Sequence, residues 1–215
     1  MEIDSATEIM VSLGLKPVPV QTLLDYEPLI VEENGKSKFH DASHIYRVLI
    51  YADLLSQMLE KEGKVVNRHA VFSAIKIHDS LRKNEYMNDV DHGRLAAEYA
   101  KSKGLFDDDS DKELILHLVF THSLDDEVVR GLFYRDNSIE HNIVCDADLL
   151  DRYRDGHNDS TLDGPDESYI RIDNKTKALF PVARMLCQNY FKSETQYDPL
   201  SDLVIIGSQL GIISA

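Results

Sequence analysis

The sequence predicts an all-α protein, built as an orthogonal helical bundle. Apolar residues recur at three- and four-residue spacing through most of the chain. No alternating strand pattern of any length is present, and neither an internal repeat nor a heptad array organises the helices. The 215 residues suggest one domain, long enough to bury a sizeable core.

The elements follow in order. Ser5 to Leu15 reads as a short helix ending at Gly14, broken by Lys16-Pro17-Val18-Pro19. Gln21 to Val31 reads as a second, and Glu32 to Lys36 as a loop. From Asp41 the pattern strengthens: Ile45, Val48, Leu49, Ala52, Leu55 and Leu59 share one helical face, and Gly63 stops the run. Asn67 is placed to cap a helix carrying Val71, Phe72 and Ile75 up to His78-Asp79. Ser80 to Asn88 is a polar loop with Arg82, Lys83 and Glu85. Asp89 or Asp91 opens the next helix, through Ala96, Ala97 and Ala100 to Gly104. After the acidic run Asp107-Asp108-Asp109, read as a solvated cap, Leu114 to His122 is helical. Asp125 to Tyr134 reads as a further short helix, and Asn137 or Ser138 opens one with Ile143, Ala147 and Leu150. His157 to Asp173 reads as a long loop, Lys175 to Phe191 as a helix, and the tail from Asp198 as a short helix with an apolar end.

Hydrophobic residues make up 43% and charged residues 28% of the chain, an ordinary globular balance. A formal charge of −15 argues against a nucleic-acid polymer or an anionic membrane as the main partner. It leaves room for a small phosphorylated ligand, because a metal reverses the local field. Cys145 and Cys187 show neither paired-ligand spacing nor a disulfide framework, and read as small buried hydrophobes in a reducing compartment. With no signal-peptide pattern and no apolar stretch of membrane-spanning length, the expectation is a soluble, cytoplasmic protein.

The chemistry gathers at His44, His78-Asp79, His92, His122 and Asp148, each on or at the end of a different predicted helix. Single ligands on several facing helices are how a bundle builds a metal site in its core. A buried His beside a buried Asp is costly unless something pairs with both, and neutral imidazole and carboxylate both suit divalent cations. On a helical wheel His122 shares a face with Ile115, Leu118 and Val119, whereas His117 faces Glu113 and Thr121. The same exercise puts Asp146 nearer the stripe Ile143, Ala147, Leu150, and Asp148 with Val144 and Cys145. His40 competes with His44; His69, His141 and His157 read as surface or packing residues.

The segments His44-Ile-Tyr-Arg47-Val48, Ile77-His78-Asp79 and Asp146-Ala-Asp148-Leu-Leu150 resemble the HD superfamily of metal-dependent phosphohydrolases, over about Lys38 to Arg154. The resemblance implies an HD-type bundle with metal ligands at His44, His78, Asp79 and Asp148, its Asp-x-Leu pattern favouring Asp148 over Asp146. Some branches add two histidines and hold a dinuclear centre. His92-Gly93 and Thr121-His122 look like that branch, in which Asp79 would bridge. Arg82, with Lys83 beside it, stands where the family often has a lysine. Arg47, Arg82 and Lys83 are expected to neutralise phosphate charge. Glu85, Asp89 and Asp151 are candidates for proton relay by proximity in sequence.

The expectation is therefore a phosphohydrolase that cleaves a phosphoester or phosphoanhydride of a nucleotide or similar small phosphate. It would use a water activated by one or two divalent ions of Mn, Fe, Ni, Co, Mg or Zn. The alternatives are a dinuclear iron oxygenase on the same ligand set and a non-catalytic binding module. The division expected is an N-terminal helical extension (1–35), an HD-type catalytic core (36–155), and a loop with C-terminal helices packed on that core (156–215).

Overall fold

A computed structural model of the chain describes residues 5–30, 41–82, 91–124, 128–129, 138–153, 165–193 and 198–214. It is predominantly α-helical, as the periodicity predicts. The helices are α1 (Ala6–Ser12), α2 (Val20–Asp25), α3 (Ala42–Lys61), α4 (Arg68–Ile77), α5 (His92–Lys103), α6 (Lys112–Thr121), α7 (Ile139–Leu150), α8 (Asp173–Lys192) and α9 (Pro199–Gln209). No helix among the described residues is long and apolar enough to cross a membrane.

The hub is α3. Every residue from Ser43 to Ser56 is buried, because α4, α7, α8 and α9 surround it. A surface helix buries one stripe; a helix covered on all sides must be tolerant all round, and Tyr51, Ile50 and Leu54 join the expected stripe inside. Around this hub α4 packs on α6 and α7, and α5 on α6.

Local chemistry fixes the helix starts that matter for the site. The Asp41 carboxylate accepts from the His44 backbone N–H at 3.1 Å, so His44 stands in the first turn of α3. Asn67 caps α4 through the Ala70 N–H at 3.0 Å, and Ser138 caps α7 through the His141 N–H at 3.1 Å. At the far end of α5, Gly104 takes φ +64°, which a side chain would resist.

Three expectations need correction. The second helix stops at Asp25 rather than continuing to Val31, since Pro28 disfavours helical geometry at Glu27. Leu29 instead donates its N–H to the Lys76 carbonyl at 3.0 Å. A two-residue parallel pairing joins β1 (Val18–Pro19) to β2 (Ile213–Ser214), too short to leave an alternating signature. It ties the N-terminal segment to the C-terminal one, and α1 packs on α8 alongside. Within the predicted loop 157–173, residues 167–169 form a 3-10 turn, and α8 begins two residues earlier than expected. Pro181 sits inside α8 at an exposed position, and Lys177, whose carbonyl it leaves without a helical donor, is exposed as well. The expected helix from Asp125 to Tyr134 lies outside the described residues except at Val128 and Val129.

Asp146 holds the start of α8. Buried on α7, its carboxylate accepts from the Arg171 N–H at 2.9 Å, the Ile172 N–H at 2.7 Å and the Thr176 hydroxyl at 2.6 Å. The Ile172 N–H, at the N-cap, is otherwise an orphan donor of the helix N-terminus, and the negative charge also suits the helix dipole. Asp146→Ala should therefore cost about 2–4 kcal/mol in urea unfolding of metal-stripped protein. Asp148→Ala, two residues along, should change stability by less than about 1 kcal/mol. The reverse order would show that Asp146 is not the anchor.

Candidate metal centre

The ends of five helices meet at one place. His44 enters from the start of α3 and His92 from the start of α5. His78 and His122 form the C-caps of α4 and α6, Asp79 follows His78, and Asp148 lies in the last turn of α7. Two helix N-termini and three C-termini border the site, so their dipoles do not add a net positive field and the carboxylates add to its negative charge.

Asp79 is the centre of the arrangement. Its Oδ2 lies 3.3 Å from His44 Nε2 and 3.6 Å from His78 Nε2. Its Oδ1 lies 3.1 Å from His92 Nε2 and 3.7 Å from His122 Nε2. The imidazoles approach each other within the same pairs, at 3.3 Å between the Nε2 atoms of His44 and His78 and 2.9 Å between those of His92 and His122. Asp148 Oδ1 joins the first pair, 3.4 Å from His44 Nε2. All four histidines and Asp79 are buried.

The outer nitrogens decide what the inner ones can do. Nδ1 of His78 donates to the Ile75 carbonyl at 2.7 Å, and Nδ1 of His122 to the Val119 carbonyl at 2.7 Å. Nδ1 of His44 meets Asp151 Oδ2 at 2.8 Å. Carbonyl and carboxylate oxygens only accept, so this network assigns the proton of each neutral ring to Nδ1 and leaves a lone pair on Nε2. Lone pairs of nitrogen and oxygen thus converge on common points, a repulsive arrangement until a cation or a proton lies among them. Burial pushes the His78 imidazole down to about 4, which disfavours the proton. Burial acts to raise the Asp79 carboxyl; a positive charge on His78 and hydrogen bonds donated by His122, His44 and His92 would outweigh it and hold Asp79 well below the usual carboxylate range, and they act only when protons occupy those inner nitrogens. With the inner nitrogens unprotonated, Arg82 Nη1, 3.5 Å from Oδ2, is a positive charge beside Asp79, and a divalent cation would satisfy the converging nitrogens and the carboxylate together. His44, His78 and Asp79 form one group that could hold a metal ion, and Asp79, His92 and His122 a second, each with ligand atoms within 4.8 Å of one another.

Gly93 makes the second group possible. A Cβ there would meet the Val119 carbonyl oxygen at 2.7 Å, Ser123 Oγ at 2.9 Å and His122 Cε1 at 3.0 Å. The small residues Gly93, Ala96, Ala97 and Ala100 are buried on α5, which packs on α6 and brings His92 to His122.

The structure treats the other sequence candidates differently. Arg82 lies at the site, its Nη1 3.5 Å from Asp79 Oδ2. Arg47 does not stand where phosphate could meet it. Its guanidinium is buried and donates to both oxygens of Asp151, at 2.7 and 2.9 Å, and to Ser43 Oγ at 2.9 Å. Asp151 outweighs the effect of burial and keeps Arg47 charged. Asp151 is likewise behind His44 and not beside the inner nitrogens where a proton relay would stand. Asp146 is committed to α8, leaving Asp148 as the α7 carboxylate near His44. His117 is half-buried outside the cluster, and His141 is buried near Cys145 Sγ and the Thr121 carbonyl. Lys83, Glu85, Asp89, His40 and His157 lie outside the described residues.

Sequence reasoning did not single out a third group. His69 Nε2 meets Asp109 Oδ2 at 2.6 Å, with Asp111 nearby, at the surface. Nothing in the sequence links residues forty positions apart, and exposed acidic groups commonly gather this way without an ion. Comparison with protein-family models, curated proteins and solved structures finds no match to this chain.

The depressed His78 imidazole gives a pH prediction for metal-stripped protein. Unfolding lets His78 return to 6.5, so between about 4 and 6.5 the unfolded state binds more protons than the folded one. Stability should be full above pH 6.5 and fall by about 2–3 kcal/mol as pH drops toward 4. Chemical unfolding of wild type and His78→Asn across this range checks it: the variant should show a flatter slope, and equal slopes would contradict the assignment.

Proposed function

We propose that the protein is a phosphohydrolase with a dinuclear metal centre, acting on a phosphoester or phosphoanhydride of a nucleotide or similar small phosphate. The observation that carries this reading is the division of one buried carboxylate: each Asp79 oxygen faces its own pair of histidines. Proteins hold pairs of divalent ions through a shared carboxylate to clamp the attacking and leaving oxygens of an in-line displacement. Bound there, divalent ions would acidify a water and polarise a phosphoryl oxygen.

The chain's own residues define the rest. His44, His78 and Asp148 would hold one ion, His92 and His122 the other, with Asp79 between them. Neutral nitrogens and two carboxylates suit Mn, Fe, Co, Ni, Mg or Zn. Exposure indicates the open side: the Asp148 and Arg82 side chains are 21% and 17% accessible, the histidines and Asp79 7% or less. A substrate would arrive between Asp148 and Arg82, where the guanidinium offers planar donors to phosphate oxygens and offsets their charge. Arg47 is assigned no contact with substrate. The similarity of His44-Ile-Tyr-Arg47-Val48, Ile77-His78-Asp79 and Asp146-Ala-Asp148 to HD-superfamily motifs supports the same reaction class.

Elemental analysis of protein purified without chelator, paired with phosphate release from a panel of nucleotides, tests the proposal. Wild type should carry two equivalents of metal. His92→Ala with His122→Ala should carry one or fewer and lose activity by about a hundredfold or more. Absence of metal, or iron-dependent oxygen uptake without phosphate release, would overturn it.

A further inference from the structure

The geometry points to Asp151, held by Arg47, as the positioning residue that locks His44 in the tautomer and orientation needed to ligate; this rests on the metal reading above. Asp151 is fully buried, and so are the two groups that hold it. Its Oδ2 takes the His44 Nδ1–H at 2.8 Å and the Arg47 Nη2–H at 2.9 Å, while Oδ1 takes the Arg47 Nε–H at 2.7 Å. The carboxylate therefore grips the ring from the side opposite Asp79 and cannot itself reach an ion that His44 binds through Nε2.

Three features separate this from a packing salt bridge. Arg47 is fixed as firmly as the carboxylate: Ser43 Oγ accepts from Nη1 at 2.9 Å, and the guanidinium carbon lies 5.0 Å from the Tyr190 and Phe191 ring centres. A fully buried ion pair is an expensive way to fill space, because apolar residues of similar volume usually do as well. The pair also ends on one nitrogen of one ligand. His78 and His122 use backbone carbonyls at the equivalent position, so His44 alone among these three has a carboxylate behind it. Carboxylate–histidine–metal arrangements raise the electron density of the ligating nitrogen and fix the ring, and losing the outer group weakens metal binding about ten- to a hundredfold.

The arrangement also draws the C-terminal helices into the site. Cys187 on α8 lies with its Sγ 3.5 Å from Asp151 Oδ1 and 3.4 Å from the Tyr51 hydroxyl, and Tyr190 and Phe191 follow on the same helix. The inner wall of α8 thus encloses the group that sets His44, although it contributes no ligand.

The test reads tautomer and metal separately. Nitrogen-15 NMR of the histidine rings in chelator-treated protein should show His44 protonated at Nδ1. Asp151→Asn presents an amide that can donate to Nδ1, and should move the proton to Nε2. Because that variant leaves Arg47 buried without its counter-charge, Arg47→Met with Asp151→Asn serves as the second form, chosen by melting behaviour. In metal-binding titrations with Mn, either form should weaken one of two sites about ten- to a hundredfold and spare the other. Added to His44→Ala, Asp151→Asn should bring no further loss. A wild-type ring protonated at Nε2, a tautomer unchanged in both variants, or losses that multiply with His44→Ala would overturn the proposal. Wild-type protein that binds no metal but holds the Nδ1–H tautomer would sink the metal reading and leave the Asp151–His44 link standing.

Discussion

A carboxylate buried among four imidazoles is the constraint on which the rest depends. Asp79 could not be stabilised there by the hydrophobic core that surrounds it, since an isolated ionised carboxylate in an apolar interior is strongly disfavoured. The bundle brings ligand-capable nitrogens from α3, α4, α5 and α6, two on each oxygen, a set that a cation or proton among them would stabilise. Several local features serve that convergence. Asp41 sets the first turn of α3, Gly93 lets α5 approach α6, and backbone carbonyls or Asp151 turn the rings inward.

What could be read in the sequence was whatever is local. The cap at Asn67 and the helix start at Ser138 act over three residues, and the face that sets His122 apart from His117 is a property of one helix. The residues that gather around Asp79 were legible as a group because each sits at a helix end with apolar residues beside it. The outer contacts were not. Arg47 finds its partner 104 positions away, and its place three residues after His44 suggested a phosphate contact that its burial denies. Asp146 was correctly on the core side of α7, but its partners are two backbone donors and one hydroxyl 25 to 30 positions away, which no local pattern reveals. The β1–β2 pairing was hidden for the opposite reason, being two residues long.

The C-terminal helices take on more significance than their distance from the ligands suggests. Through Asp146 and Thr176, α7 holds the beginning of α8; through Tyr190, Phe191 and Cys187, α8 covers Arg47 and Asp151. The two aspartates of α7 and the one that follows it therefore divide the labour: Asp146 anchors structure, Asp148 faces the site, and Asp151 stands behind His44. Alternation of roles over so few residues follows from the helical repeat, which turns successive side chains to different neighbours.

The most direct measurement is a crystal structure of manganese-loaded protein with anomalous scattering recorded at the metal edge. Two peaks are expected, one between Asp79 Oδ2 and the His44–His78 pair and one between Asp79 Oδ1 and the His92–His122 pair. A single peak bound by all four histidines, or none at Asp79, would contradict this.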